Sequence, residues 1–234
     1  MNILAFDTCF DACSVCVAQT RAEQAVEFSG ALERFETGHA ERLIPMVEEV
    51  MSSAGLTFSD IGRLAVTVGP GTFTGTRIGV AAARALALSS SMEVVGASSL
   101  AVMAEAALRE LQPPSGTNLA VAVDARRGQA YVQLFAASAL EPNSPPLLLS
   151  IEEAGRIGAD PLIVVGSAAE AVATAAAASG RRMAARLPDL LPDAAALARM
   201  AFELPASQGP LVPLYLRPPD AKPQDGKSIA RAQP

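Results

Sequence analysis

The sequence predicts an α/β protein of two lobes built on one repeated plan. Three observations carry this. An apolar run at residues 2–7 ends in an acid, Asp7, and a second run at 119–124 ends in another, Asp124. Each run is followed by a short turn and a second strand-like stretch, 13–19 in the first half and 130–135 in the second. A turn-rich segment at 112–117, Gln-Pro-Pro-Ser-Gly-Thr, separates the halves. The match between the halves is one of pattern, not of residue identity. The lobes are expected at 1–112 and 118–216, with a disordered tail at 217–234 where proline and charge replace apolar residues.

The elements follow in order. Strands are expected at 2–7, 13–19 and 24–30, as an antiparallel meander. Residues 40–54 read as a helix stopped by Gly55, with Pro45 either in its first turn or kinking it. A strand at 64–68 runs into the turn Gly69-Pro-Gly-Thr-Phe-Thr-Gly75, and an alanine-rich helix follows to about residue 89. A short strand at 93–96 precedes an amphipathic helix with Leu100, Met103, Ala104, Ala107, Leu108 and Leu111 on one face, opened by Ser98 or Ser99. In the second half a further strand is expected at 162–165, and helices at about 167–179 and 193–204.

Composition narrows the function. Half of the residues are hydrophobic and only 4% aromatic, so packing rests on many small contacts between alanine, leucine and valine. A formal net charge of −6 offers nothing global to attract nucleic acid or an anionic membrane. The N-terminal residues have no basic start or long apolar run, and the longest apolar helical stretch contains Arg84. A cytoplasmic protein is expected. Cys13-x-x-Cys16 invites a metal or redox reading, but in a strand positions three apart point to opposite faces. With one histidine in the chain, zinc lacks ligands, and Cys9, Cys13 and Cys16 read as small core residues.

Two lobes that each open with strand, Asp, turn and strand describe the actin-like ATPase superfold shared by sugar kinases, Hsp70 and actin. In that fold the two hairpins face each other across a cleft, their amides hold phosphates, and the acids organise a metal ion. Asp7 and Asp124 stand at the corresponding places, although each could simply end a strand. Gly69, Gly71 and Gly75 allow close backbone approach, and Thr72 or Thr74 can cap the next helix. Amides exposed there could hold an anion, but no lysine follows the glycine as in a P-loop. A tight turn needed only for strand–helix packing is the stronger reading for this chain alone.

The turn Gly69-Pro-Gly-Thr-Phe-Thr-Gly-Thr-Arg-Ile-Gly79 resembles the signature of the TsaB (YeaZ) family. Phe6-Asp-Thr8, His39-Ala-Glu-Arg-Leu-Ile-Pro45, Asp124-Ala-Arg126 and Pro213-Leu-Tyr-Leu-Arg217 are similar to further landmarks in the same order, over nearly the whole chain. The resemblance implies the actin-like fold with a degenerate second lobe. It also implies a non-catalytic subunit that binds and activates TsaD, its catalytic paralogue, for threonylcarbamoyl transfer to adenosine of tRNA. TsaE, an ATPase, is a further implied partner; tRNA would be met only indirectly, and membranes not at all. TsaD-like enzymes carry a His-x-x-x-His pair on the helix after the short strand. Here Ser99 and Met103 stand in its place, and neither is a plausible ligand. The turn before the second-lobe helix offers only Gly166. These departures imply no catalytic residue, no metal and no tightly bound cofactor. Any nucleotide contact by Asp7, Gly69, Gly71, Thr72 and Asp124 would be vestigial or shared with the partner, as weak binding of ADP or ATP in the complex.

The resemblance also implies that helices of the first lobe pair with counterparts in TsaD. His39, Leu43, Met46, Val47 and Val50 on the first helix, and Arg77, Ala81 and Arg84 on the second, are the expected interface. Ile44, Ile78 and Ala83 are expected in the core. A face awaiting a paralogue could pair with its own copy, giving a homodimer in the partner's absence. The rival readings are a metallopeptidase, or glycoprotease, and a small-molecule kinase of the same superfold.

Overall fold

The computed structural model describes residues 1–21, 25–90, 92–136 and 141–217. The expected tail at 217–234 lies outside the described residues but for Arg217. The first sheet contains β1 (Asn2–Asp7), β2 (Ala12–Thr20), β3 (Val26–Arg34), β4 (Arg63–Thr67) and β5 (Glu93–Ala97). Its order is β3-β2-β1-β4-β5, with β1 antiparallel to β2, β2 antiparallel to β3, and β4 and β5 parallel to β1. The second sheet contains β6 (Asn118–Asp124), β7 (Gln129–Ala136), β8 (Glu141–Pro142), β10 (Leu162–Val165) and β11 (Met183–Arg186), with β9 (Leu147–Ser150) also on β7. Its order is β11-β10-β6-β7-β8. Here β6 and β7 are antiparallel, and β10 and β11 run parallel to β6. Position by position this is the topology of the first sheet. The chain therefore has the duplicated actin-like ATPase architecture. Its second lobe is reduced: the third strand is broken into β8 and β9, and the helix that follows, α4 (Ile151–Ala154), is a single turn.

Alternation along the strands sorts the side chains of the first sheet into two layers. Leu4, Phe6, Cys13, Val15, Val17, Leu64 and Val66 face α1 (His39–Ser53) and α2 (Phe73–Ser89). Ile3, Ala5, Cys16, Ala18, Ala65 and Val95 face the other way, towards α6 (Ala194–Met200). Cys13 and Cys16 thus lie on opposite faces of one sheet, and all three cysteines are buried and free. Burial pushes the Cys13 and Cys16 thiols up to about 12, so both stay protonated and inert.

α3 (Ser99–Leu111) crosses to the second lobe, where Leu100, Met103, Ala104 and Ala107 pack on Leu119, Val121 and Phe135. α5 (Ala169–Ala178) covers the opposite face of that sheet. Residues 112–117 run between α3 and β6, the first strand of the second sheet. Part of the 118–216 stretch packs on the first sheet. α6 returns to the first sheet, where Ala194, Ala196, Leu197 and Ala198 are buried against β1, β2 and β4. Pro45 sits at the seventh residue of α1, past the first turn and on the exposed side.

Candidate functional site

A cavity of about 670 Å³ lies in the cleft between the lobes. The β1–β2 turn supplies Phe10 and Asp11, the glycine turn supplies Gly71, Thr72 and Phe73, and the β6–β7 turn supplies Asp124, Ala125 and Arg126. A C-terminal segment, 214–217, forms the remaining wall. Both tyrosines of the chain, Tyr131 and Tyr215, line this cleft.

Asp7 does not line it. The carboxyl is 1% exposed, accepts from the Cys9 amide at 3.2 Å, and accepts from the Thr67 hydroxyl. Burial pushes it up to about 6, against the opposing pull of the Thr67 hydrogen bond. Cys9 sits beside it with its thiol 3.2 Å from the Thr67 hydroxyl, and burial raises that thiol well above its ordinary range. Asp7, read from the sequence as a vestigial or shared nucleotide contact, is enclosed in the first lobe beneath the β1–β2 turn.

The glycine turn holds that arrangement shut. A Cβ on Gly71 would lie 2.3 Å from the Cys9 carbonyl oxygen, and one on Gly75 would lie 2.0 Å from that of Thr8. The Thr72 amide donates to the Cys9 carbonyl at 2.7 Å, and the Thr8 hydroxyl donates to the Gly75 carbonyl at 2.7 Å. Only glycine permits such an approach of hairpin to helix. Thr72 is the N-cap of α2, its hydroxyl accepting from the Gly75 amide at 3.1 Å. Gly69, at φ 102°, lies behind the cleft and not among its lining residues. Of the five expected cofactor residues, the cleft brings together Gly71, Thr72 and Asp124 and leaves Asp7 and Gly69 outside.

Asp124 is exposed, and its Oδ1 accepts from the Arg126 amide at 2.8 Å. The charges around the cleft balance: Arg34, Arg126 and Arg217 face Asp11, Asp124 and Asp189. Arg34 donates to the Asp189 carbonyl at 2.7 Å, and Arg217 to the Ala125 carbonyl at 2.8 Å and the Gln129 side chain at 2.6 Å. Gly166 is spent on packing, since a Cβ there would lie 2.6 Å from the Ala122 carbonyl oxygen. Ser99 is fully buried and donates to the Pro70 carbonyl, and Met103 is core. Among the described residues no group of three or more His, Cys, Asp and Glu could hold a metal ion.

The expected interface on α1 is corrected. Leu43 is 1% exposed, Met46 and Val47 are 0%, and Val50 is buried with them against the first sheet. These four side chains of the apolar stripe are covered by the strands and by α2. His39 is buried too, its Nε2 donating to the Phe10 carbonyl at 2.8 Å, with Phe35 edge-on at 4.9 Å. Ile44, expected in the core, is 41% exposed. On α2, Gly75, Gly79 and Ala83 face inward, while Arg77, Ala81 and Arg84 face solvent with Ala85 and Leu88. Sequence reasoning missed the roles of Arg34, Tyr131 and the 214–217 wall. The signal available for the wall was Pro213-Leu-Tyr-Leu-Arg217, a landmark with no role attached.

Comparisons with known proteins agree with this architecture. The family model for TsaD, tRNA N6-adenosine threonylcarbamoyltransferase, matches residues 33–140. The Escherichia coli K12 tRNA threonylcarbamoyladenosine biosynthesis protein TsaB is 37% identical over 131 residues, 56% of this chain and 53% of that protein. The chain thus spans about half the length of the curated TsaB relatives it matches. An uncharacterised Mycobacterium tuberculosis protein is 31% identical over 224 residues, 95% of this chain and 94% of its own. A Pseudomonas aeruginosa structure described as similar to peptidase YeaZ superposes with a TM-score of 0.74 at 27% identity, covering 92% of this chain and 99% of that one. YeaZ from the same organism gives 0.71 at 28%, covering 86% and 92%. With the duplicated topology, the glycine turn and these relatives together, the chain belongs to the TsaB (YeaZ) family.

Proposed function

We propose that this chain is an accessory subunit in tRNA threonylcarbamoyladenosine biosynthesis, with no chemistry of its own, that docks on a TsaD-type paralogue through α2. The enclosure of Asp7 carries the reading. A carboxyl covered by its own hairpin, with both oxygens hydrogen-bonded, cannot reach a metal ion in the cleft without unfolding the β1–β2 turn. Ser99 and Met103, where the catalytic relative is expected to hold its ion, are core residues. The metallopeptidase and kinase readings both need groups that the fold has spent on packing.

The docking surface follows from exposure. α2 presents Arg77, Ala81, Arg84, Ala85 and Leu88 to solvent, and Leu88 is 89% exposed. Small residues flanked by arginines allow a second helix to approach closely. The buried apolar side of α1 supports this face from beneath. Any ADP or ATP at the cleft would be held weakly, because its arginines are balanced by aspartates and two of them are bound to carbonyls. In this reading the chain also helps to form the surface on which TsaE docks. Copurification with TsaD, followed by tRNA modification assays with and without this chain, tests the proposal. Full modification by TsaD and TsaE without it, or turnover by this chain alone, refutes it.

A further inference from the structure

The lobes are joined by chain at 112–117 and 187–193, and a third bridge is made by the C-terminal segment. Leu211 is buried against Val68 and Gly96, where a Cβ on Gly96 would lie 2.9 Å from its side chain. The Leu214 amide donates to the Val68 carbonyl at 2.6 Å. These contacts fix the segment to the first lobe. Three residues later Arg217 grips the second lobe through the Ala125 carbonyl and the Gln129 side chain. The segment is thus a strap along one wall of the cleft.

Between the two anchors lies Tyr215. Its hydroxyl accepts from Nε of Arg77 at 2.8 Å, and its ring stacks at 5.3 Å on Phe73. The Arg77 guanidinium lies 3.7 Å from the centre of the Phe73 ring. Arg77 belongs to the solvent face of α2 and is exposed. At the other end, Ala125 and Gln129 close the β6–β7 turn, the Ala125 amide donating to the Gln129 carbonyl at 2.9 Å. That turn holds Arg126 at φ 64° and Arg127 at φ 58°, left-handed conformations that side chains adopt only when their surroundings impose them. Arg217 holds both ends of this turn, at Ala125 and at Gln129.

We infer that the strap is a latch coupling the solvent face of α2 to the β6–β7 turn of the second lobe. A partner that offers Arg77 a new acceptor competes with the Tyr215 hydroxyl. Tyr215 then loosens, Arg217 loses its purchase two residues on, and the turn and the cleft wall relax together. The physical requirement is a shared element whose state both sites bias, and residues 214–217 are that element. The inference rests on the partner reading for its trigger; the coupling itself belongs to the free chain.

The test is amide hydrogen exchange on the free protein, read at residues 124–130. The proteins compared are wild type, Arg77→Ala, Arg217→Ala, Tyr215→Phe and the Arg77→Ala/Arg217→Ala pair, each first shown by thermal melting to be folded. Arg77 contacts Phe73 and Tyr215, so a purely local role ends at those two side chains. The expected result is at least threefold faster exchange of the turn in Arg77→Ala, a smaller rise in Tyr215→Phe, and a double variant no faster than Arg217→Ala. Wild-type turn exchange in Arg77→Ala, or effects of the two substitutions that multiply as independent changes, overturns the latch. Should Arg217→Ala fail to fold, the comparison of wild type, Arg77→Ala and Tyr215→Phe still decides. Adding excess TsaD to wild type should reproduce the faster turn exchange. Failure to form that complex counts against the partner reading and leaves the free-chain result intact.

Discussion

Substitution of Gly75 by alanine separates a packing role from a ligand-binding role for the glycine turn. Two effects of opposite sign compete. Gly75 lies within α2, and alanine favours a helix over glycine by about 1 kcal/mol. Against this, the new Cβ would lie 2.0 Å from the Thr8 carbonyl oxygen and 2.6 Å from the Thr72 hydroxyl. A tolerable carbon–oxygen contact is about 3.3 Å, so hairpin and helix must part by roughly 1 Å. Parting them breaks the buried Thr8–Gly75 hydrogen bond, a loss of about 1 kcal/mol. Overpacking against backbone adds about 1–3 kcal/mol. The clash wins, leaving a net loss of about 2 kcal/mol. For a chain of this size each kcal/mol moves the melting temperature by about 2–4 °C, so differential scanning calorimetry without any ligand should show a fall of about 4–8 °C. Gly38→Ala provides the contrast, since a Cβ there meets nothing within 4 Å and only its φ of 102° is unfavourable. A Gly75→Ala protein that melts at or above the wild-type temperature would show that the hairpin is not seated on the turn. The packing account of the turn would then fail.

The remaining predictions concern burial and the docking face. Asp7 has a folded value of about 6 against an ordinary 3.8, so the folded state binds its proton more tightly. This contribution favours folding fully below about pH 4 and is lost as pH rises through 6, a change on the order of 3 kcal/mol. Denaturation at a series of pH values should show that slope in wild type and a flatter profile in Asp7→Asn; equal slopes would count against the buried, protonated carboxyl. Val47→Asp places a charge in a site that is 0% exposed, so the lone chain should lose its cooperative melt, a cost above about 4 kcal/mol. An unchanged melt would restore Val47 to the surface. Leu88→Asp should melt within about 0.5 kcal/mol of wild type and yet lose copurification with TsaD, because Leu88 is 89% exposed on α2. Retained binding would move the interface elsewhere.

The fold was legible because it is written twice. The runs ending at Asp7 and Asp124 each became the central strand of a sheet, and the turn at 112–117 runs between α3 and β6. Capping chemistry narrowed two helix starts to a pair of residues each, Thr72 or Thr74 for α2 and Ser98 or Ser99 for α3, and the structure uses Thr72 and Ser98. The third strand of the second lobe escaped because β8 has two residues and β9 four, too short for a period to register. The apolar width of α1 misled for a different reason. Periodicity reports which residues avoid water, not what covers them, and Leu43, Met46 and Val47 are covered by their own sheet and by α2. Nor could pattern show that α6 recrosses to the first sheet, since alanine-rich helices carry no label for the surface they join.

In an actin-like cleft the two hairpins must leave amides and an acid open to a ligand. In this chain the first hairpin has moved its polar groups inward: the Cys9 amide and the Thr67 hydroxyl go to Asp7, and the Cys9 carbonyl takes the Thr72 amide. Every one of those bonds stabilises the first lobe without a bound nucleotide. A lobe that needs no ligand to complete its core can serve as a rigid platform, and the rigidity is passed to α2 through Gly71 and Gly75. What remains adjustable is the bridge to the other lobe, where Arg217 and Arg34 each hold a carbonyl across the cleft. On the proposed reading, a partner on α2 meets that helix with the 214–217 strap beside it, and its contact with Arg77 is felt at the second lobe through Tyr215 and Arg217.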